Sequence, residues 1–359
     1  MIPWWSTTFG EPEISRIAES IRGNFVSQGL ITQRFEEALA EFLGVKYVVA
    51  VSNGSSALLC ALIAAGVGPD DEVIIPNRTW VATAHAIKLL GARPVCVDVE
   101  RDRPLMDHTI VEGLITPRTK ALIPVHMNGR AVNMDAVSEI ARRRGLVLIE
   151  DAAQALGSRN RHGYLGTQGD MGCFSLSVAK TISTGQGGFV VTNSCDRAEH
   201  LRSIRTHGLG NTKDPGSWVQ LGFNFRFTDV LASIGIEQLK LLETRIEHLK
   251  ALYRTYDEGL RNTPFEIIPV RLDDGEVPLY IEFLVKDRGD WICKLASKGI
   301  DTRPFYPDID SAKYLGAVGH FANSRAFWNL GLYLPSGPAL SLENVSFVID
   351  IIRKVRDES

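Results

Sequence analysis

The sequence predicts an α/β fold, with a mainly parallel central sheet covered by helices and a smaller C-terminal α+β unit. Three observations carry this. From Tyr47 to Thr192, short apolar runs alternate with longer helix-period stretches, the order that builds parallel sheets from strand–helix–strand units. Those runs are continuously apolar, as in strands covered on both faces. A helical pattern from Thr228 to about Leu260, with Leu231, Ile234, Leu239, Leu242 and Ile246 on one spacing, then separates this region from a shorter one of different rhythm.

Taken in order, Tyr47–Val51, Glu72–Ile75, Pro94–Asp98, Ala121–Val125 and Leu146–Glu150 read as strands, with Ser55–Ala65, Val81–Leu90 and Met134–Arg144 as helices between them. Cys173–Ser177 and Gly188–Thr192 are two further strands, flanking a loop rich in Gly and Thr. The Thr228–Leu260 stretch exceeds the mean helix of ~11–12 residues, so it reads as one long or broken helix joining two units. Beyond it come a strand at Tyr280–Val285, a helix at Trp291–Lys298 and a closing helix at Asn344–Val355. Pro304, Pro307, Pro335 and Pro338 mark irregular connections. A chain of 359 residues makes about two domains, and the expected division is a larger α/β unit over 1–245 and a smaller α+β unit over 246–359.

Apolar residues make up 45% and charged residues 23%, which excludes a disordered or fibrous protein. Lys and Arg number 39 against 42 Asp and Glu, a formal net charge of −3, so no positive field invites nucleic acid or an anionic membrane. The histidines are scattered without metal-ligand spacing, and no metal is expected. Cys60, Cys96, Cys173, Cys195 and Cys293 stand singly, mostly in apolar segments, and read as buried thiols of a reducing compartment. Met1–Ser6 lacks the basic and apolar regions of a signal peptide. No apolar run approaches the ~20 residues of a membrane helix. A soluble, cytoplasmic protein is expected.

Ligands of open α/β sheets bind beyond the carboxyl ends of the strands, and four such ends carry unusual residues. Ser52–Ala57 joins a strand to a helix, where Gly54 admits close approach and Ser55 and Ser56 supply donors for a phosphate; helix capping alone explains it as well. It is neither a Gly-x-Gly-x-x-Gly nor a Gly-Lys-Ser/Thr loop. Trp80, at the next strand-to-helix entrance, can cover a flat ligand or simply fill core. Glu150 and Asp151 end a fully apolar strand, where a carboxylate is costly without a partner or cation; helix capping by Asp151 is the structural alternative. Lys180 stands between an apolar strand and a Gly/Thr loop, unlike most lysines, and an amine drawn from water becomes a nucleophile. One ligand uses a phosphate cradle, an aromatic cover, a carboxylate facing a ring nitrogen and an amine for a Schiff base: pyridoxal 5′-phosphate.

With these residues in hand, the chain resembles the DegT/DnrJ/EryC1/StrS aminotransferases, fold-type I pyridoxal-phosphate enzymes that mostly aminate keto sugars attached to nucleotides. The resemblance runs through Phe35-Glu36-Glu37, Ser52–Ala57, Thr79–Thr83, Glu150–Gln154, Phe174–Gly188, Gly222–Arg226 and Gly299–Pro304. It implies roles. Lys180 would be the Schiff-base lysine and the acid/base of proton transfer. Asp151 would keep the pyridine nitrogen protonated, Gln154 would bond the phenolic oxygen, and Trp80 would stack on the ring. Gly54, Ser55, Ser56 and Ser175 would hold the phosphate. Asn224 would reach the phosphate in a neighbouring subunit, implying a homodimer with shared active sites.

Arg226 and Arg303 are candidates for anchoring a substrate carboxylate or phosphate, or are structural ion-pair partners. Three segments depart from the family pattern: His126-Met127-Asn128-Gly129 where Tyr-Gly is usual, Gln186 where Glu commonly precedes the double glycine, and Phe305–Ile309, which lacks a frequent His. These surround the expected sugar. L-glutamate is the expected amino donor, and the expected acceptor is a keto or aldehyde sugar, most readily a nucleotide-linked 4-keto or 3-keto deoxysugar, with a free sugar or cyclitol as the alternative. Family members that dehydrate a sugar at C3 replace the lysine with His, so Lys180 favours transamination. A non-catalytic scaffold would be expected to have lost Lys180 or Asp151, and a nicotinamide enzyme would need a dinucleotide loop. The Gly208–Leu221 loop and Arg303–Tyr314 are expected to hold the substrate preference.

Overall fold

A computed structural model describes residues 1–210, 216 and 218–357. Seven strands form the central sheet: β1 (Tyr47–Val51), β2 (Glu72–Pro76), β3 (Arg93–Val97), β4 (Thr119–Leu122), β5 (Val147–Asp151), β6 (Met171–Ser175) and β7 (Gly188–Thr192). Their order is β1-β7-β6-β5-β4-β2-β3. Only β7 is reversed, antiparallel to both β1 and β6. The expected α/β fold with a mostly parallel sheet is therefore present.

Both faces are covered. Along β1, Val49 and Val51 pack on one side with Leu58, Leu62, Leu201 and Ile204. Val48 and Ala50 pack on the other with Phe35, Leu39 and Phe227, the two-residue alternation of a strand buried twice. One apolar run outlasts its strand. The run Ala121–Val125 is ladder-paired only to Leu122, because Pro124 has no N–H to donate. The chain rejoins at Val125, bridged to Asp151, whose N–H donates to the Pro124 carbonyl.

The helices that place the site are α1 (Glu11–Arg22), α2 (Leu30–Leu43), α3 (Gly54–Ala64), α4 (Ala82–Leu89), α5 (Cys195–Arg205), α6 (Asp229–Lys240) and α7 (Leu242–Gly259). The long helical stretch is thus broken, at Leu241. Asp229, the first residue of α6, caps α2 from afar: its Oδ1 accepts the N–H groups of Gly29 and Thr32, both at 2.8 Å. Glu36 of the Phe35-Glu36-Glu37 motif accepts from Arg205 at 2.6 Å and from the Ala50 N–H at 2.8 Å, so that motif ties α2 to the sheet.

A second, antiparallel sheet contains β8 (Glu266–Ile267), β9 (Ile281–Leu284), β10 (Arg303–Pro304) and β11 (Gly331–Leu334), in the order β8-β9-β11-β10. Its core gathers Leu249, Leu252, Tyr256, Ile281, Phe283, Leu332 and Val348. The N-terminus is woven into this region: the Ile2 N–H donates to Gly299 O, the Asp301 N–H to Ile2 O, and Trp5 bridges Ser336. Cys60, Cys96 and Cys173 are buried as expected, whereas Cys195 and Cys293 are exposed; they sit on helices whose apolar neighbours turn inward without them. No described helix is long and apolar enough to cross a membrane.

Candidate active site

A cavity of about 770 Å³ opens beyond the carboxyl ends of the central strands, where the loop between β6 and β7 crosses the start of α3. Eight of the residues singled out in the sequence line it: Gly54, Ser55, Trp80, Asp151, Gln154, Ser175, Lys180 and Arg303.

The two neighbouring carboxylates at the end of β5 point to opposite faces and meet different fates. Glu150 is fully buried and fully answered: it accepts the N–H groups of Gly166 at 2.8 Å, Gln168 at 2.6 Å and Gly169 at 2.5 Å, and pairs with His126 Nε2 at 2.8 Å. Asp151 is less provided for. It receives the Thr83 hydroxyl at 2.8 Å and the Ala153 N–H at 3.1 Å, and burial raises its pKa against those bonds and the charge of Lys180. Lys180 keeps some surface toward the cavity, but its amine lies deep enough that desolvation brings its pKa down to about 8, with the Asp151 charge opposing.

At the start of α3 the Asn53 side chain accepts from the Ser56 N–H at 2.8 Å and from the Ser56 hydroxyl at 3.1 Å. Ser56 is therefore spent on the helix cap, buried and off the cavity wall. The N–H groups of Gly54 and Ser55, being in the first turn, have no intrahelical partner and face the same wall as Ser175. Space there is tight: a Cβ on Gly54 would stand 2.9 Å from that of Ser175, and one on Gly188 would strike the Asn53 backbone at 2.5 Å.

Opposite lies a wall the sequence showed poorly. Trp4, Tyr280, Tyr306 and Tyr333 line it with Arg303. The Trp80 ring, 56% exposed, meets Tyr306 edge-on at 5.3 Å. The segment carrying Tyr306 is clamped to the residues before Trp80: buried Arg78 pairs with Asp308 at 2.9 Å and lies over the Phe305 ring, while Asn77 and Asp310 exchange hydrogen bonds at 3.0 Å. Gln154 accepts the Asn128 N–H at 2.9 Å. The unusual His126–Gly129 segment serves this junction: Asn128, in the left-handed region at φ 54°, bonds both the N–H and the carbonyl of Tyr280.

Sequence comparison settles the family. The profile of the DegT/DnrJ/EryC1/StrS aminotransferase family matches residues 8–353. The chain belongs to that family. It is 37% identical to the GDP-perosamine synthase of Caulobacter vibrioides, over 92% of this chain and 91% of that one. It is 31% identical to the spore coat polysaccharide biosynthesis protein SpsC of Bacillus subtilis, over 99% and 97%. The solved structure of S. venezuelae DesV superposes with a TM-score of 0.91 at 33% identity, covering 96% of this chain and 94% of that one. The protein is thus a pyridoxal-phosphate-dependent aminotransferase. The donor set fits that cofactor: free N–H groups at a helix N-terminus suit a phosphate, a desolvated amine suits a carbonyl, and a buried carboxylate suits a basic ring nitrogen.

Two family positions lie elsewhere. Asn224 and Arg226 are exposed outside the cavity, where Arg226 Nε donates to Asn224 Oδ1 at 2.9 Å and the Arg226 backbone bridges Val51. Of the Gly208–Leu221 loop, 211–215 and 217 lie outside the described residues. Trp4, Tyr280 and Tyr333 went unread because each sits in a segment whose local pattern signals only a terminus or a core strand.

Proposed function

We propose that this enzyme transfers the amino group of L-glutamate to a keto or aldehyde sugar, a nucleotide-linked 4-keto or 3-keto deoxysugar in amino-sugar biosynthesis. The observation that carries the reading is the desolvated Lys180 amine sharing one cavity with Asp151 and the open first turn of α3. The perosamine synthase and coat polysaccharide relatives support the sugar.

When bound, pyridoxal phosphate supplies an electron sink for the carbon that gains or loses a proton. Lys180 would hold the cofactor through its amine and would carry that proton. Asp151 keeps a positive charge on the ring nitrogen, Gln154 bonds the phenolic oxygen, and Trp80 covers the ring. The N–H groups of Gly54 and Ser55 and the Ser175 hydroxyl bind phosphate, with Ser56 holding the turn in shape. Arg303, which has no carboxylate partner among the described residues and rests 4.3 Å above the Trp4 ring, anchors an anionic substrate group; Arg226 is the second candidate.

Residues 1–245 form the cofactor unit and 246–359 the smaller one in this reading. Exposed Trp218, Val219, Leu221 and Phe223, just ahead of Asn224, support a homodimer in which Asn224 serves the neighbouring site. A cytoplasmic enzyme accords with single, unpaired cysteines.

The test is the visible spectrum of the cofactor-loaded protein before and after glutamate, followed by a screen of keto sugars. A band that collapses with glutamate and returns with a nucleotide-linked keto sugar is the expected result. A band indifferent to glutamate but responsive to another amino acid would replace the donor, and return only with a cyclitol or free sugar would replace the acceptor.

A further inference from the structure

The loop that carries Lys180 is held from outside the central sheet. The indole N–H of Trp5 donates to the Val178 carbonyl at 3.0 Å, and the phenol of Tyr280 donates to the Ala179 carbonyl at 2.9 Å. These are the two peptide carbonyls immediately before the lysine. Both donors are buried, and they pack on each other edge-to-face with ring centroids 5.4 Å apart. Each is fixed in turn. Trp5 belongs to the N-terminal strap, whose Trp4 carbonyl accepts the Ser336 N–H at 2.9 Å and whose Ser6 N–H donates to Ser336 O at 2.9 Å. Tyr280 is gripped through its backbone by Asn128.

We propose that Trp5 and Tyr280 are positioning residues for Lys180: by fixing the carbonyls of residues 178 and 179, the N-terminal strap and the second sheet set where the lysine amine stands against Asp151 and the reacting carbon. The inference rests on Lys180 being the reactive lysine. The loop needs such help, because it has no sheet partners between Leu176 and Gly187, and its own hydrogen bonds gather further on, where the N–H of Thr184 and the hydroxyl of Ser183 both reach Leu176 O. Burial pushes the Tyr280 phenol far above its usual pKa, so the donor keeps its proton across the working range. Misplacing a reacting group by about 1 Å costs up to ~10²-fold, whereas the contacts proposed for the phosphate and ring, from Gly54, Ser55, Ser175, Asp151 and Trp80, involve neither the Trp5 N–H nor the Tyr280 hydroxyl and are left in place.

The test uses the cofactor-loaded enzyme with Tyr280→Phe, which deletes only the hydroxyl, and Trp5→Phe, which deletes the N–H of a residue off the cavity wall. Single-turnover bleaching by glutamate gives rate and apparent affinity separately, and circular dichroism of the cofactor's visible band reports how the lysine holds the ring. The expected result is a fall in rate of about 10-fold or more in each variant with donor and cofactor affinities within about twofold, a changed dichroic band, and a double variant losing less than the product of the singles because both act on one loop. Wild-type rates and dichroism in both variants would overturn the proposal. So would a loss confined to cofactor affinity or melting temperature, which is the mark of a merely structural role. If Lys180→Ala itself kept the band and the rate, the reading of Lys180 would fall instead, and that control separates the two failures.

Discussion

The cavity has two unlike walls. On one side stand Asp151 and Ser175, the last residues of β5 and β6, with Gly54 opening α3 and Lys180 on the loop between β6 and β7. On the other stand Trp4, Tyr280, Arg303, Tyr306 and Tyr333, drawn from an N-terminal strap, a second sheet and an irregular connection. The first wall holds groups whose proton affinities are disturbed by burial and by one another. The second is aromatic, with one cation and no carboxylate. In the proposed reading the difference separates duties: the first wall supplies the chemistry, and the aromatic wall shapes what reacts there.

Breaking the first wall is expected to cost most. Lys180→Ala should slow the glutamate half-reaction by about 10⁴-fold or more, since the covalent anchor and proton carrier proposed above both go, while circular dichroism in the far ultraviolet stays that of the wild type. Next come the two carboxylates, which sharpen the contrast between support and chemistry. Glu150→Gln should lower unfolding stability by about 1–3 kcal/mol, because its amide keeps an oxygen for the Gln168 and Gly169 N–H groups but turns an NH2 toward the Gly166 N–H and His126, with catalysis near normal in the folded fraction. Asp151→Asn should do the reverse, lowering kcat about 10²–10³-fold with little change in melting temperature. If the two variants behaved alike, the division between them would fail.

On the second wall, Arg303→Ala should raise the KM of the anionic substrate it anchors by about 10- to 100-fold, the worth of a charge-assisted hydrogen bond, with kcat within a fewfold. Arg303→Lys should recover only part of this, because the planar two-pronged contact is lost. The smallest effect is pH dependence. An amine with its pKa down near 8 must shed its proton to react, so cofactor capture by the apoenzyme should rise with pH through about 8 and then level off. A rise continuing through pH 10 would place the lysine in water.

The same contrast explains what is legible in the sequence. Lys180, Asp151 and Gly54 were legible because their meaning is local: a carboxylate closing an apolar strand, or a lysine between a strand and a Gly/Thr loop, violates the expectations of a plain core. Strands and helices of the central sheet were legible for the same reason. Their ends slipped where a single residue decided, as at Pro124. Helices α1 and α2 passed unread, since α2 begins on a cap supplied by Asp229, far along the chain. Ser56 is expected as a phosphate donor; in the structure its N–H bonds Asn53 and its hydroxyl lies between Ser52 and Asn53. Trp4, Tyr280 and Tyr333 could not be assigned because only long-range pairing turns them toward one cavity, and Glu150 gave no hint that it, unlike its neighbour, would be enclosed by backbone donors.

The most direct test is to load the protein with pyridoxal phosphate, reduce it with borohydride and map the modified peptide by mass spectrometry. A single adduct on Lys180, abolished in Lys180→Ala, is the expected result. An adduct on another lysine, or none in the wild-type protein, would contradict the site.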